Sequence, residues 1–591
     1  MVATVEEFSQ TLDAHNMATA ITDRYVTYSN QRQTKIEETK ELRNYIFATD
    51  TSTTTNAQLP WKNSTTIPKI CQIRDNLHAN YLSALFPNDR WFKWEAYSED
   101  SAEKKKVEAI EAYMSNKLRE GNFQETVSRM LYDYIDYGNV FADCDFHKES
   151  KKDETGEEIV GFVGPKAVRV SPYDIVFNPA ASDFASTTKY VRYVKSIGEL
   201  KDDVMNKPEL GYSQDIIDDI INVRKRLATY DKADWDKAEG YVADGFGSLQ
   251  EYYGSGLVEI IEATGDFHDQ HTGEFYKDHV ITIVDRTKVV RNIPNPRWLG
   301  GSSIEHAGWR LRPDNLYAMG PLDNLVGMQY RIDHLENLKA DVFDLIAHPP
   351  LVIKGDVDDF TWGPFAEINV GEDGSVDMLK LDATALNADM QIANLMQQME
   401  EMAGAPKESM GIRTAGEKTA FEVQQLQNAA GRIFQQKITY FEQNIIEPLL
   451  NNMLELARRN MDAGDIIRVM DDDLGVVEFL NITKNDITAK GKLRPIGARH
   501  FAAQAQLIQN LSGVFSSPVG QMIAPHTSSK KLSTMVEDVL GLERFDLFSD
   551  NIAIMEQAES QKLANSAQEQ VEVDSVTPAE EGAPNAIQPE L

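Results

Sequence analysis

The stretch PLDNLVGMQYRIDHLENLKADVFDLIAHPP, residues 321–350, carries the clearest helical signal in the chain and sets the frame for what flanks it. Leu325, Met328, Ile332, Leu335, Leu338, Val342 and Leu345 recur at three- and four-residue steps, the spacing that lines one face of an α-helix. At about 1.5 Å of rise per residue such a helix is about 40 Å long. His348-Pro349-Pro350 ends it abruptly, because proline has no N–H to donate and its ring collides with the preceding turn.

Downstream, the apolar runs LVIKGDV, FAEINV and VDMLKLD read as short strands broken by Gly355, Gly363, Gly371 and Gly374. A second helix follows over 385–403, then the glycine-containing loop GAPKESMGIRTAGEKTA. The longest helical stretch of the chain covers 420–461, with a kink or break expected at Pro448 and a weak point at Gly431. A short β passage, IIRVMDDDLGVVEFLNITKNDITAKGKLRP, leads to helices over 497–560. The last 31 residues hold no aromatic side chain and read as a disordered acidic tail.

Upstream, helical pattern runs over 5–47 and stops at TDTSTTTNAQLP, whose hydroxyls compete for backbone hydrogen bonds. A helix over IPKICQIRDNLHANYLSALF comes next, then an aromatic cluster, Trp91, Phe92 and Trp94, expected in the core. Helix returns over 102–137. Two β modules are expected: one over NVFADCDFHKE and IVGFVGPKAVRVSPYDIVFNP, the other over LVEIIEATGDFHDQHTGEFYKDHVITIVDRTKVVRNIPNP. In the second, ATGD, HTGE and Asp285-Arg286-Thr287-Lys288 read as turns between antiparallel strands, and helix over 197–229 separates the modules. The fold class is therefore α+β, predominantly helical.

The whole chain has 591 residues, more than one core usually supports, so several linked modules are expected. Its 59 basic and 93 acidic residues give a net charge of −34, which repels a phosphate backbone and speaks against a protein that wraps nucleic acid by neutralising it. No apolar run approaches the length of a membrane span, and the N-terminus carries acids where a secretory signal carries bases. The expected compartment is the cytosol, which makes the sequons at Asn63, Asn481 and Asn510 incidental. Cys71 and Cys144, the two cysteines, are expected as buried free thiols.

Chemical motifs are weak. GIRTAGEKT, 411–419, approaches a phosphate-binding loop, but Glu417 stands between Gly416 and Lys418 and puts a carboxylate where phosphate oxygens would lie. Asp266, His268, Asp269, His271 and His279 fit hairpin polarity better than a metal site, since no third ligand is defined. Asp471-Asp472-Asp473-Leu474-Gly475 lacks the alternation and closing glutamate of a calcium loop. No G-x-S-x-G, H-E-x-x-H or G-x-G-x-x-G occurs. Lys104-Lys105-Lys106, Lys151-Lys152 and Arg224-Lys225-Arg226 are flanked by acids and read as solvated faces. Neither an enzyme nor a cofactor is expected.

The order of elements from 321 to 461, helix, β insert, helix, loop and kinked helix, resembles the portal, or head-to-tail connector, proteins of short-tailed double-stranded DNA phages. The local likeness is greatest in RTAGEKTAFEVQQLQNAAGRIFQQKITYFEQNIIEPLLNNML, 413–454. Thr419, Ala420, Glu422 and Val423 match a T-A-x-E-[VI] helix start, and Ile446, Pro448 and Leu449 an I-x-P-L ending; Ala415 is an insertion in the preceding loop. PWKNSTTIPKICQIRDNLHANYLSALFP, MLYDYIDYGNVFADCDF and RPIGARHFAAQAQLIQNL are similar as well.

The resemblance implies a wing with two antiparallel β modules over 1–320, a first stem helix over 321–347, a clip over 348–384 and a second stem helix over 385–403. It implies a tunnel loop over 404–419, a long wing helix and β passage over 420–490, a helical crown over 491–560 and the tail over 561–591. Lys407, Arg413 and Lys418 would be the loop cations nearest passing DNA. The implied assembly is a ring of twelve subunits at one capsid vertex of the virion, put together in the host cytoplasm. Its partners would be double-stranded DNA, terminase, the major capsid protein and tail adaptors, with no membrane. Two rival expectations are a nucleotide-driven packaging enzyme, resting on the GEKT loop, and a capsid or tail component that forms no ring.

Overall fold

The computed structural model describes residues 10–12, 17–47, 63–87, 91–97, 104–152, 158–206, 212, 214–227, 256–269, 273–296, 304–355, 357–358, 368–378, 388–404, 433–461, 465–470 and 477–496. The chain divides into two compact units, Met1–Ile467 with Leu480–Arg499, and Arg468–Phe479 with His500–Leu591. Of the second unit, only 468–470 and 477–479 are described. Among the described residues 52% are helix and 29% strand, and the class is α+β.

The first unit opens with β1 (Gln10–Leu12) and α1 (Met17–Phe47), followed by α2 (Lys69–Leu85), β2 (Phe92–Ala96), α3 (Lys104–Glu120) and α4 (Phe123–Asp136). The helix expected over 5–47 thus begins only at Met17. Gln10–Leu12 is extended instead and pairs in parallel with Phe267–Asp269. α3 and α4 part at Gly121-Asn122, where Asn122 takes φ 52°.

β3 (Asn139–Lys152) and β4 (Glu158–Val170) form a long hairpin completed by β10 (Glu305–Gly308). The second sheet runs β5 (Ile175–Phe177), β6 (Lys189–Ser196), β7 (Leu257–Asp269), β8 (Phe275–Val284), β9 (Lys288–Pro294), with β1 beside β7. Ile175–Phe177, read in sequence with the first β module, therefore joins the second. Between β6 and β7 lie α5 (Ile197–Asn206) and α6 (Gln214–Leu227). On the sheet, Ile21, Tyr25 and Tyr28 of α1 pack with Tyr190, Ile261, Phe267 and Ile281. Leu200, Ile217 and Ile220 of α5 and α6 pack with Val258, Ile260 and Val284.

Two expected turns behave differently. Asp285 and Arg286 both have positive φ, 50° and 55°, and sit at the centre of a turn that Thr287 N closes on Val284 O at 3.1 Å, within the three-residue loop between β8 and β9. Arg286 bridges both oxygens of the fully buried Glu259, at 2.9 and 3.0 Å, and so anchors the turn. ATGD is no turn: β7 continues through it, with a register shift between Gly265 and Phe267. Gly265 has φ 149°, and a Cβ there would come within 2.7 Å of Thr188 Oγ1, so a bulge over β6 needs glycine.

After the small hairpin β11 (Arg310–Arg312) and β12 (Asn315–Met319), a 3-10 turn at Asp323–Leu325 feeds α7 (Val326–Ala347). β13 (Leu351–Lys354) and β14 (Ser375–Met378) form a two-stranded hairpin, and α8 (Asp389–Ala403) follows. α9 is helical over 433–460, and its break takes the form of a π-turn at Glu442–Ile446 directly before Pro448. The wider turn fits the proline ring, and the Asn444 side chain donates to Tyr440 O at 2.8 Å. β15 (Asp465–Met470), β16 (Val477–Ile482), α10 (Lys484–Ile487) and β17 (Gly491–Pro495) end the described chain, with β17 paired to β2.

The aromatic cluster is core, as expected: Trp91 stacks on Phe123 at 5.6 Å, and Phe92 and Trp94 are buried. Cys144 is buried, but Cys71 is only half so.

Candidate functional site

α7 and α8 pack on each other and carry the β13–β14 hairpin at their far end, forming an arm. Val326–Ala347 is helical for the reason the apolar spacing predicts, yet its buried face is not the apolar one. Ile332 and Leu335 are buried, while Met328, Leu338, Val342 and Leu345 are only half-buried. Buried alongside are Gln329, Asp333, Asn337 and Asp341, one every four residues.

These four side chains form a rail for the extended segment 63–70. Asp341 Oδ1 accepts from Asn63 N at 2.9 Å, Asn337 Oδ1 from Thr65 N at 2.7 Å and Asp333 Oδ1 from Ile67 N at 3.0 Å. Gln329 Oε1 accepts from Ile70 N at 3.2 Å, and Gln329 Nε2 donates to Ile67 O and to Asp333 Oδ1. A helix rises about 6.0 Å in four residues and an extended chain about 6.6 Å in two, so alternate N–H groups meet successive turns of the helix. Helix α7 thereby serves the strap as a sheet edge would. The mismatch accumulates to about 1 Å over the two steps from Asn63 to Ile67, and the third, to Ile70, spans three residues where the strap turns into α2.

Pro68, the N-cap of α2, supplies no side-chain cap, and Gln329 satisfies one of the free N–H groups of the first turn from outside. The Asn63 side chain donates to Asp341 and Asp344, both at 2.9 Å. Burial pushes the Asp333 carboxyl above its ordinary value, against the hydrogen bonds from Ile67 and Gln329. Asp333 Oδ2 and Asp341 Oδ2 are buried without a hydrogen-bond partner.

A second polar contact ties the strap to α8. Lys69, the first residue of α2, pairs with Glu400 in the last turn of α8; both are buried, and Lys69 also donates to Gln72 at 2.8 Å. Each charge sits at the unfavourable end of its own helix dipole, a cation at an N-terminus and an anion at a C-terminus. Lys339 of α7 bridges Glu336 and Asp389 at 2.8 and 2.9 Å, joining the two arm helices.

Among the exposed side chains of the arm are several large apolar ones. Phe343 is 61% exposed, Ile353 52%, Met378 55% and Met390 76%, and Ile346 is exposed too. Among the described residues β13 and β14 pair only with each other, a ribbon that is marginal in water on its own.

Lys407, Arg413 and Lys418, with the loop 405–419 that holds them, lie outside the described residues, as do His271, Asp471-Asp472-Asp473 and the tail. His268 lies on β7 opposite Phe275 and Thr11. No group of three or more metal-capable side chains occurs among the described residues, and no described helix is long and apolar enough to cross a membrane. A small cavity lined by Arg32, Tyr137, Phe141 and Tyr317 has room for about one water. Arg32 donates there to the carbonyls of Pro172, Tyr173 and Ile175 at 2.5 to 2.7 Å, holding the turn before β5 onto α1.

The chain matches no family model, and no curated relative matches it.

Proposed function

We propose that the chain is a portal subunit: one of a ring of copies that encloses a channel for double-stranded DNA at a capsid vertex and docks terminase, the capsid and tail adaptors. The observation that carries the reading is the arm. It joins two helices through a hairpin with no other sheet partner among the described residues, and it leaves Phe343, Ile353, Met378 and Met390 in water. Large apolar side chains left exposed call for a partner surface, and neighbouring copies in a closed ring supply one by heterologous contact. The element order from α7 to α9 supports the same reading, as does an acidic chain past which DNA slides without sticking. In this reading α7 and α8 are the stem helices, the hairpin belongs to the clip, and Lys407, Arg413 and Lys418 lie on the tunnel loop.

Native mass spectrometry of the purified chain tests the proposal. A single closed oligomer of about twelve copies is expected; a monomer at all concentrations contradicts it. An ATPase assay separates the rival, a packaging enzyme, which requires turnover that a portal lacks.

A further inference from the structure

The arm is held to the rest of its unit by a joint of unusual composition. Elsewhere apolar side chains make the contacts: α4 buries Val127, Met130, Leu131, Tyr134 and Ile135. Along the strap, α7 instead buries Gln329, Asp333, Asn337 and Asp341, and α8 contributes Glu400 to Lys69.

We propose that α7, the β13–β14 hairpin and α8 undock from the strap 63–70 as one body, with the polar rail as the surface that opens. Three features of the geometry support this. The rail binds backbone N–H groups through single side-chain oxygens, and water replaces such bonds at small net cost. Asp333 and Asp341 each keep one oxygen buried and unpartnered, and opening restores hydration to it. Burial of Lys69 with Glu400 likewise sacrifices hydration that separation recovers. Opening at the rail therefore costs less than opening an apolar contact of equal area. The arm holds together meanwhile, because α7 and α8 pack on each other and Lys339 bridges to Asp389. The inference concerns a single chain and stands apart from ring formation.

Residue-resolved hydrogen exchange on the unassembled full chain is the test. The N–H groups of Asn63, Thr65, Ile67 and Ile70 are expected to exchange with one common opening, at least about tenfold faster than those of Leu131 and Tyr134. In Asn337→Leu all four should accelerate together, although of these four N–H groups that side chain is bonded only to that of Thr65. Exchange of the four as slow as the α4 amides would overturn the proposal, as would acceleration confined to Thr65. Circular dichroism of the variant confirms that it is folded; if it is not, the wild-type rates alone decide.

Discussion

Asn337 Oδ1, on the buried face of a long helix, accepts the backbone N–H of Thr65, 272 residues earlier in the chain, at 2.7 Å. The bond is one rung of a rail in which side chains spaced by four meet the N–H groups of Asn63, Thr65, Ile67 and Ile70. It needs an acceptor at 337 and no particular side chain at 65. Asn337→Leu leaves the Thr65 N–H without that acceptor. Urea unfolding should show the leucine variant less stable by about 1 kcal/mol or more. Equal stability of wild type and Asn337→Leu would remove the rail from the account.

Lys69 and Glu400 behave as a unit. Replacing one leaves the other buried without its counter-ion, so Lys69→Met alone should cost about 3–5 kcal/mol. The double variant Lys69→Met/Glu400→Met, apolar throughout, should recover most of that loss. A double variant as unstable as the single one would argue against coupling between the two positions.

Lys189 gives stability a pH dependence. It is buried, it donates to Ala185 O at 3.1 Å, and burial lowers it from 10.5 to about 8, opposed by Glu305, Asp183 and Asp278. A lysine depressed in the fold favours folding when neutral. Its contribution is full above 10.5 and is lost as the pH falls through 8. The difference is worth about 3 kcal/mol. Lys189→Met should therefore raise stability at pH 7 and flatten the rise that the wild type shows between pH 8 and 10. His306, stacked on Phe141 and lowered by burial to about 3, stays neutral throughout this window.

The exposed apolar residues of the arm separate assembly from folding. Met390→Glu and Phe343→Glu lie at 76% and 61% exposure, where a substitution changes monomer stability by less than about 0.5 kcal/mol. Both should leave the unfolding curve in place and abolish the oligomer in sedimentation. An unchanged oligomer would show that these side chains face no neighbour.

Charge predicts how the ring forms. Each chain carries −34, so twelve copies sum to roughly −400 before counter-ions, a load that salt screens. Sedimentation at low and high ionic strength, or with divalent cations, should show more ring as screening increases. Identical ring fractions in all conditions would contradict this.

What the sequence makes legible follows from periodicity. The helix expected over 321–347 is found at Val326–Ala347, and the Asp285-Arg286 turn and the buried aromatic cluster lie where their patterns place them. Its apolar stripe, however, hides the face that matters. Gln329, Asp333, Asn337 and Asp341 look like a solvated flank, and only their strict spacing, with no lysine or arginine among them, distinguishes them as acceptors for a backbone. Nor is Gln10–Leu12 legible as a strand, since three residues cannot establish a period and only the free edge of β7 fixes their conformation. ATGD has the composition of a turn, but the bulge against Thr188 uses the same glycine. Pro448 marks the break in α9, whereas its displacement to Glu442–Ile446 depends on packing around Phe441 and Ile445.

Whether copies of this chain close into a ring is tested most directly by electron microscopy of the purified full chain. Annular particles with a central channel wide enough for a DNA duplex, about 20 Å, are expected, with the arms projecting along the channel axis. A field without annuli at every ionic strength tried would contradict it.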